Sequence, residues 1–372
     1  MGRDRSLCTE VVFRYLSVFI METKVIELTE NTLDTPESEE VLKEAGSIIK
    51  NGGLVAFPTE TVYGLGGDAL NPESSRKIYA AKGRPSDNPL IVHIADIEDL
   101  RPIVKTIPEK AKKLADAFWP GPLTMIFEKA DIVPRETTGG LETVAVRFPS
   151  DPVAAAFIEH AGGYIAAPSA NTSGRPSPTL AKYVVEDLSG KIEMILDGGQ
   201  ACIGLESTIV DTTVEPPMIL RPGYITKAML EKVLGEVDVD KTLLTDDSGQ
   251  APKAPGMKYK HYAPKGDMAI VTGEADEVVK RINDLTAKAL SEGKKVGIFC
   301  SSDTAASYDK RAVIKPAGSA SDEDSVAREL YRILREFDDE NVEVIYSEAF
   351  DYGGVGAAIM NRLLKAAGRR VL

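Results

Sequence analysis

The sequence predicts an α/β protein in two unequal domains, and three observations carry that expectation. Its 372 residues exceed the roughly 100–200 of a single domain. From Met21 to about Gly235, short apolar runs alternate with helical patterns, and Gly or Pro marks almost every junction. Periodicity then disappears until about Gly266 and resumes at Asp267 as strand, helix, strand, helix. The expected organisation is an N-terminal extension (1–20), a larger domain (21–235), a linker (236–266) and a smaller domain (267–372).

The elements follow in order. A helix begins near Thr35 and Pro36, repeats Val41, Leu42, Ala45, Ile48 and Ile49 on one face, and stops at Asn51-Gly52-Gly53. The strand 54–57 follows at once, with further strands over 90–94, 123–127, 143–148, 164–167, 194–196 and 207–211. Helices fill 73–82, 108–118, 151–160 and 226–234. In the smaller domain, strands over 268–271, 295–300 and 342–346 alternate with helices over 277–290 and 324–337. A last helical stretch follows Gly353-Gly354-Val355-Gly356, whose amide groups could attract an anion.

Composition narrows the function classes. Hydrophobic residues at 43% and charged residues at 27% exclude wholesale disorder and a fibrous architecture. Charged residues or proline interrupt every apolar run before the ~20 residues a spanning helix needs, so an integral membrane protein is not expected. A net charge of −13 opposes general adhesion to polyanions, so any phosphate or nucleic-acid site must be local. Cys8, Cys202 and Cys300 form no C-x-x-C pair, which fits a reducing, cytoplasmic location. His93, His160 and His261 are equally dispersed, so a zinc site is not expected. Glu10 and Arg14 interrupt residues 1–20 as a signal peptide would not allow.

Four segments carry chemistry. In PTETVYGLGGDAL, residues 58–70, the hydroxyls of Thr59, Thr61 and Tyr63 flank Glu60 and precede three glycines. The run reads either as a polar pocket floor or as a glycine-rich turn joining two sheet elements. Its formal G-x-G-x-x-A match is undercut by Asn71-Pro72, which blocks the long helix a dinucleotide site needs. In KGRPSDNPLIVHI, Lys82 and Arg84 precede Asn88 and His93; the two cations suit a polyphosphate, or alternatively complement a helix dipole. Arg147 lies in an alternating strand on the face of Thr143 and Ala145, where it needs a carboxylate from a ligand or from the protein. APSANTSGRPSPT supplies Ser169, Asn171, Ser177 and Thr179, as a sugar- or phosphate-binding loop would, or an ordinary Ser/Pro turn. Glu206-Ser207-Thr208 and Leu220-Arg221-Pro222-Gly223 are smaller signals, and neither G-x-S-x-G nor a P-loop occurs. A covalent nucleophile is not indicated.

In this order KGRPSDNPL, WPGPLT, VAVRFP, PSAN, EST and LRPG resemble the YrdC-type domain of the threonylcarbamoyl-adenylate synthases. The linker APGMKYKHYAP and the smaller domain further resemble the long, two-domain branch of that family. The resemblance implies a large twisted mixed-sheet domain with a central cavity and a smaller Rossmann-like domain. It implies that L-threonine, bicarbonate and ATP, with Mg2+, give threonylcarbamoyl-AMP and pyrophosphate, the first step toward N6-threonylcarbamoyladenosine at position 37 of tRNA. By similarity Thr61, His93, Arg147, Ser169 and Ser207 take threonine, while Lys82, Arg84, Asn88, Thr143, Asn171, Thr179 and Arg221 take ATP. No fixed protein ligand for the metal is implied. Tyr259, His261 and Tyr262, alternating with Lys258 and Lys260, are expected to form a lid, against which stands a passive tether. A downstream threonylcarbamoyl transferase complex acting on tRNA is the implied partner. The competing class is a double-stranded RNA-binding module without ATP turnover; the net charge opposes it, though weak RNA binding is compatible.

Overall fold

The computed structural model describes residues 21–243 and 262–372, so Tyr259 and His261 lie outside the described residues. The strands of the larger domain are Lys24–Glu27 (β1), Val55–Phe57 (β2), Gly64–Asp68 (β3), Ile91–His93 (β4), Leu123–Glu128 (β5), Thr143–Arg147 (β6), Ile165–Ala167 (β7), Met194–Asp197 (β8), Thr208–Asp211 (β9), Met218–Arg221 (β10) and Asp238–Val239 (β11). Its helices are Pro36–Lys50 (α1), Pro72–Lys82 (α2), Leu100–Ile103 (α3), Glu109–Phe118 (α4), Pro152–Ala161 (α5), Ala181–Leu188 (α6) and Lys227–Leu234 (α7). The smaller domain contains Asp267–Val271 (β12), Ala275–Ser291 (α8), Val296–Cys300 (β13), Val313–Pro316 (β14), Glu323–Asp339 (α9), Val344–Glu348 (β15) and Gly356–Ala366 (α10).

The larger sheet has the order β1-β8-β2-β3-β7-β4-β6-β5-β9-β10-β11 and mixes parallel with antiparallel pairs. Strand period two divides its side chains between two cores. Val55 and Phe57 pack with Leu42, Ile49, Phe157 and Ile158 of α1 and α5. Ala56, on the other face, joins Ile78, Leu114 and Val184 of α2, α4 and α6. Caps fix the helix starts: Thr35 Oγ1 accepts from the Ser38 amide at 3.2 Å, and Asn71 Oδ1 from the Glu73 amide at 3.0 Å. Gly83 ends α2 at φ +61°, a left-handed conformation suited to glycine, and aims the chain toward the site.

Two local expectations are corrected. The glycine-rich run is a strand, β3, antiparallel to β2, rather than a turn. Its glycines answer a shortage of space, since a Cβ at Gly66 would lie 2.9 Å from Ile165 Cγ2 and 3.1 Å from the Phe57 ring. The Gly353–Gly356 turn, expected to attract an anion, already receives one: the Val355 amide donates to Glu323 Oε2 at 2.7 Å.

The smaller sheet is wholly parallel, in the order β12-β15-β13-β14, and has the expected α/β character. The two domains share a core. Val62, Leu205 and Tyr262 pack with Val326, Leu330, Tyr331, Ile359 and Leu363 of α9 and α10. The backbones approach closely at Gly204, where a Cβ would meet the Ala327 carbonyl oxygen and Arg328 Cα at 2.5 Å.

Candidate active site

Strand register assembles the site. β4 and β6 run parallel with His93 opposite Arg147, and antiparallel β5 places Thr124 on the other side of Arg147. The turn 58–63, the loop after β7, the start of β9 and the end of β10 close round these residues. The result is one partly open pocket shared by these segments. All five residues expected for threonine line it: Thr61, His93, Arg147, Ser169 and Ser207. Arg84, Asn171 and Arg221, expected for ATP, line it as well, together with Ser177, Glu206 and Tyr262.

Four expected ATP residues stand outside the lining. Lys82 is one layer behind it: its buried ammonium donates to the backbone oxygens of Ser169 and Asn171, both on the wall. Burial, and after it the Arg84 charge, push the Lys82 pKa well below its ordinary value. Asn88 and Thr179 are buried, and neither the Asn88 amide atoms nor Thr179 Oγ1 has a hydrogen-bond partner among the described residues. Arg84 Nε is in the same position, although its Nη2 donates to the carbonyls of Asn88 and Pro89 at 3.3 and 3.1 Å. Of these three only Arg84 lines the cavity, where a polar ligand can supply the partner its Nε lacks. Thr143 sits at the far end of β6 from Arg147, opposite Glu128.

Within the cavity the charges are compensated unevenly. Arg147 Nη2 is 2.7 Å from Glu60 Oε2, both buried, so the protein supplies a carboxylate to this arginine. The pair lacks hydrogen-bond alignment, and Arg147 Nε has no partner among the described residues, which leaves donor capacity for a second carboxylate. His93 Nδ1 is 3.1 Å from the Ile91 carbonyl, which can only accept, so this nitrogen carries the proton. Burial, then Arg147, push the His93 pKa down to about 3 and keep the ring neutral. Ser207 Oγ bonds Thr124 Oγ1 at 2.7 Å and receives Arg221 Nη2 at 3.1 Å. Ser169 Oγ donates to Asn171 Oδ1 at 2.5 Å.

The smaller domain touches the cavity wall from behind, through Glu206, which sequence reasoning missed. Glu206 accepts from Ser177 Oγ at 2.6 Å, Arg362 Nε at 2.9 Å and the Tyr331 hydroxyl at 2.8 and 2.9 Å. Tyr262 lies between the domains with φ +66°, its ring 5.3 Å from that of Tyr331 and 5.6 Å from the Arg362 guanidinium. One usable signal was present: Arg335 and Arg362 fall on largely apolar helix faces, where a cation needs a buried partner. Among the described residues, no group of three or more His, Cys, Asp or Glu could hold a metal ion.

Comparisons with known proteins meet this geometry. A family model described as "Telomere recombination" (Sua5_yciO_yrdC) matches residues 47–223, and one described as "Threonylcarbamoyl-AMP synthase, C-terminal domain" matches 225–368. A threonylcarbamoyl-AMP synthase of Pyrococcus abyssi is 49% identical, covering 89% of this chain and 95% of that protein. One of Bacillus subtilis is 48% identical, covering 89% and 94%. The crystal structure of P. abyssi Sua5 complexed with L-threonine superposes with a TM-score of 0.88 at 47% identity, covering 94% of this chain and 99% of that one.

Proposed function

The chain belongs to the threonylcarbamoyl-AMP synthase family, and on that membership we propose that it joins L-threonine, bicarbonate and ATP into threonylcarbamoyl-AMP, releasing pyrophosphate, at the start of tRNA threonylcarbamoyladenosine formation. The observation that carries the assignment is the single cavity in which Arg147, His93 and Ser207 stand close to Arg84, Asn171 and Arg221. An amino acid and a nucleotide can therefore be held side by side.

Threonine docks its carboxylate on the donors Arg147 has left beside Glu60, with Thr61, His93, Ser169 and Ser207 around it. Its amine captures bicarbonate as a carbamate with loss of water. A carbamate oxygen then attacks the α-phosphorus of ATP in line, and pyrophosphate leaves with the electron pair of the broken P–O bond. Arg84 and Arg221 meet the phosphates with planar forks, and Lys82, Asn88, Asn171 and Thr179 support the nucleotide end. Thr143 enters this set by family resemblance alone. Approximation and charge neutralisation supply the acceleration, so no covalent nucleophile is required.

Mg2+ enters with ATP as part of the substrate. The carboxylates on the cavity wall, Glu60 and Glu206, face Arg147 and Arg362, a donor set suited to anions rather than to a resident cation. Among the described residues no helix is long and apolar enough to cross a membrane. Cys202 and Cys300 are unbridged, in keeping with a cytoplasmic setting, where the unstable adenylate passes to a transferase complex acting on tRNA.

Incubation with ATP, Mg2+, labelled bicarbonate and either threonine, serine or alanine tests the assignment. Label should enter an AMP adduct with threonine, and pyrophosphate release should require both threonine and bicarbonate. Salt-sensitive RNA binding without such turnover would instead support the RNA-binding class.

A further inference from the structure

We infer that Tyr331 and Arg362 of the smaller domain are positioning residues that hold Glu206, and through it the Ser207 wall of the substrate cavity. The inference rests on the reading of that cavity as the synthase site. Both oxygens of Glu206 are engaged, Oε1 by Ser177 on the same wall and by Tyr331, and Oε2 by Tyr331 and Arg362, so three of the four contacts come from the smaller domain. Its place on the wall is thus set by α9 and α10. The next residue, Ser207, carries the hydroxyl that bonds Thr124, while its carbonyl accepts from Arg221 Nε at 3.0 Å. Gly223 packs tightly behind, since a Cβ there would lie 2.6 Å from the Glu206 carbonyl oxygen, so a shift of Glu206 carries the 206–208 backbone with it.

Arg362 and Tyr331 are fully buried beside the apolar core that the two domains share. A hydrophobic pair of similar volume would serve adhesion as well or better, so interdomain stability alone does not account for them. They do account for a carboxylate kept in one orientation beside a site that must accept phosphates.

The charged and titratable groups around Glu206 are Arg362 and Lys365 on α10, Tyr331 on α9, Arg221 on β10 and Tyr262. Burial pushes the Glu206 carboxyl up, but Arg362, then Arg221, and the hydrogen bonds of Ser177 and Arg362 bring it to about 2. Without Arg362, burial remains and the largest opposing charge is lost, so the Glu206 carboxyl shifts upward.

The experiment measures threonine- and bicarbonate-dependent pyrophosphate release between pH 5 and 9 for the full chain and for Arg362→Met, Tyr331→Phe and the pair Glu206→Gln with Arg362→Met. Lys182→Ala serves as the control, because it removes the rim contact with Asp339 and the one with the Tyr183 ring, neither of which belongs to the cavity lining. Thermal midpoints are recorded for every variant. Arg362→Met should lose about tenfold or more in kcat/KM near neutrality, with a new acid limb absent from the parent, and Tyr331→Phe should lose less in the same direction. Removing the charge by Glu206→Gln should abolish that limb and restore part of the activity of Arg362→Met, which a simple loosening of the interface would not do. An Arg362→Met enzyme with a profile like that of Lys182→Ala, or a double variant no better than the single one, overturns the inference. Failure of the unsubstituted chain to form the adduct overturns instead the reading on which it rests.

Discussion

In the proposed assignment amino-acid recognition turns on Arg147, whose guanidinium lines the cavity with Glu60 beside it. Replacing it by alanine removes the fork for a ligand carboxylate and leaves Glu60 to repel that carboxylate. Loss of one partner in such a buried contact costs about 2 kcal/mol or more, so Arg147→Ala should raise the threonine KM at least about thirtyfold and the ATP KM little. Initial rates with each substrate varied in turn test this, and equal loss of both refutes the assignment. His93 gives a second expectation, with a definite sign. Its pKa falls from 6.5 to about 3 on folding, so between those values the unfolded chain binds the extra proton and the folded chain does not. That contribution is complete above pH 6.5 and is lost as pH falls toward 3, with a slope approaching about 1.4 kcal/mol per pH unit. Denaturant unfolding of His93→Asn across pH 4–7 should show a shallower pH dependence than the parent; an unchanged slope excludes the buried neutral imidazole. Arg147 could be marked from sequence because it is a cation inside an apolar strand, whereas His93 enters the site by family resemblance. Glu60 as the partner of Arg147 could not be chosen that way, since the two meet only after β2 and β6 join one sheet.

At the level of elements, α9 does more than cover its own sheet. Arg335, fully buried, donates to both Asp187 oxygens at 3.0 and 2.7 Å and to the Pro176 carbonyl at 3.0 and 2.7 Å. Asp187 in turn accepts from the Thr172 amide at 2.9 Å, so the loop that carries Asn171 hangs from this helix. Breaking a buried pair from one side costs about 3–5 kcal/mol, whereas an exposed pair contributes about 1 kcal/mol or less. Arg335→Met should therefore lower the unfolding free energy by several kcal/mol and weaken ATP binding, while Lys182→Ala, at an exposed pair, should do neither. Denaturant melts and nucleotide titrations separate the two; equal, small effects would remove α9 from the account. Helices α1, α2, α4, α5 and α7 were legible because period 3.6 and their Asn, Pro and Gly boundaries agree. β3 was not, because three glycines erase the alternation that marks a strand, and the collisions that demand them come from residues distant in sequence. β14, a half-exposed edge strand, shows no alternation either, and α6 follows a Ser/Pro-rich loop that hid its start.

For the molecule as a whole, the two domains share one hydrophobic core and two buried ion pairs, Arg335 with Asp187 and Arg362 with Glu206, so the electrostatics of the cavity wall do not belong to the larger domain alone. A chain shortened to residues 21–243 would uncover Val62 and Leu205, deprive Glu206 of Arg362 and Tyr331, and deprive Asp187 of Arg335. Two carboxylates designed for burial would then face water or protonate, and the wall they support would lose its fixed position. The shortened chain should retain the sheet that carries Arg147 and His93, because their strand partners all lie within it. Far-ultraviolet circular dichroism should therefore still report folded α/β structure, while synthesis of the adduct falls by at least about a hundredfold and soluble yield drops as the apolar patch is exposed. Retained synthesis at the full rate would mean that the smaller domain is an appendage and that the cavity is complete without it. Loss of all secondary structure would mean that the larger sheet depends on the interdomain core for folding itself, a stronger union than the strand pairing requires.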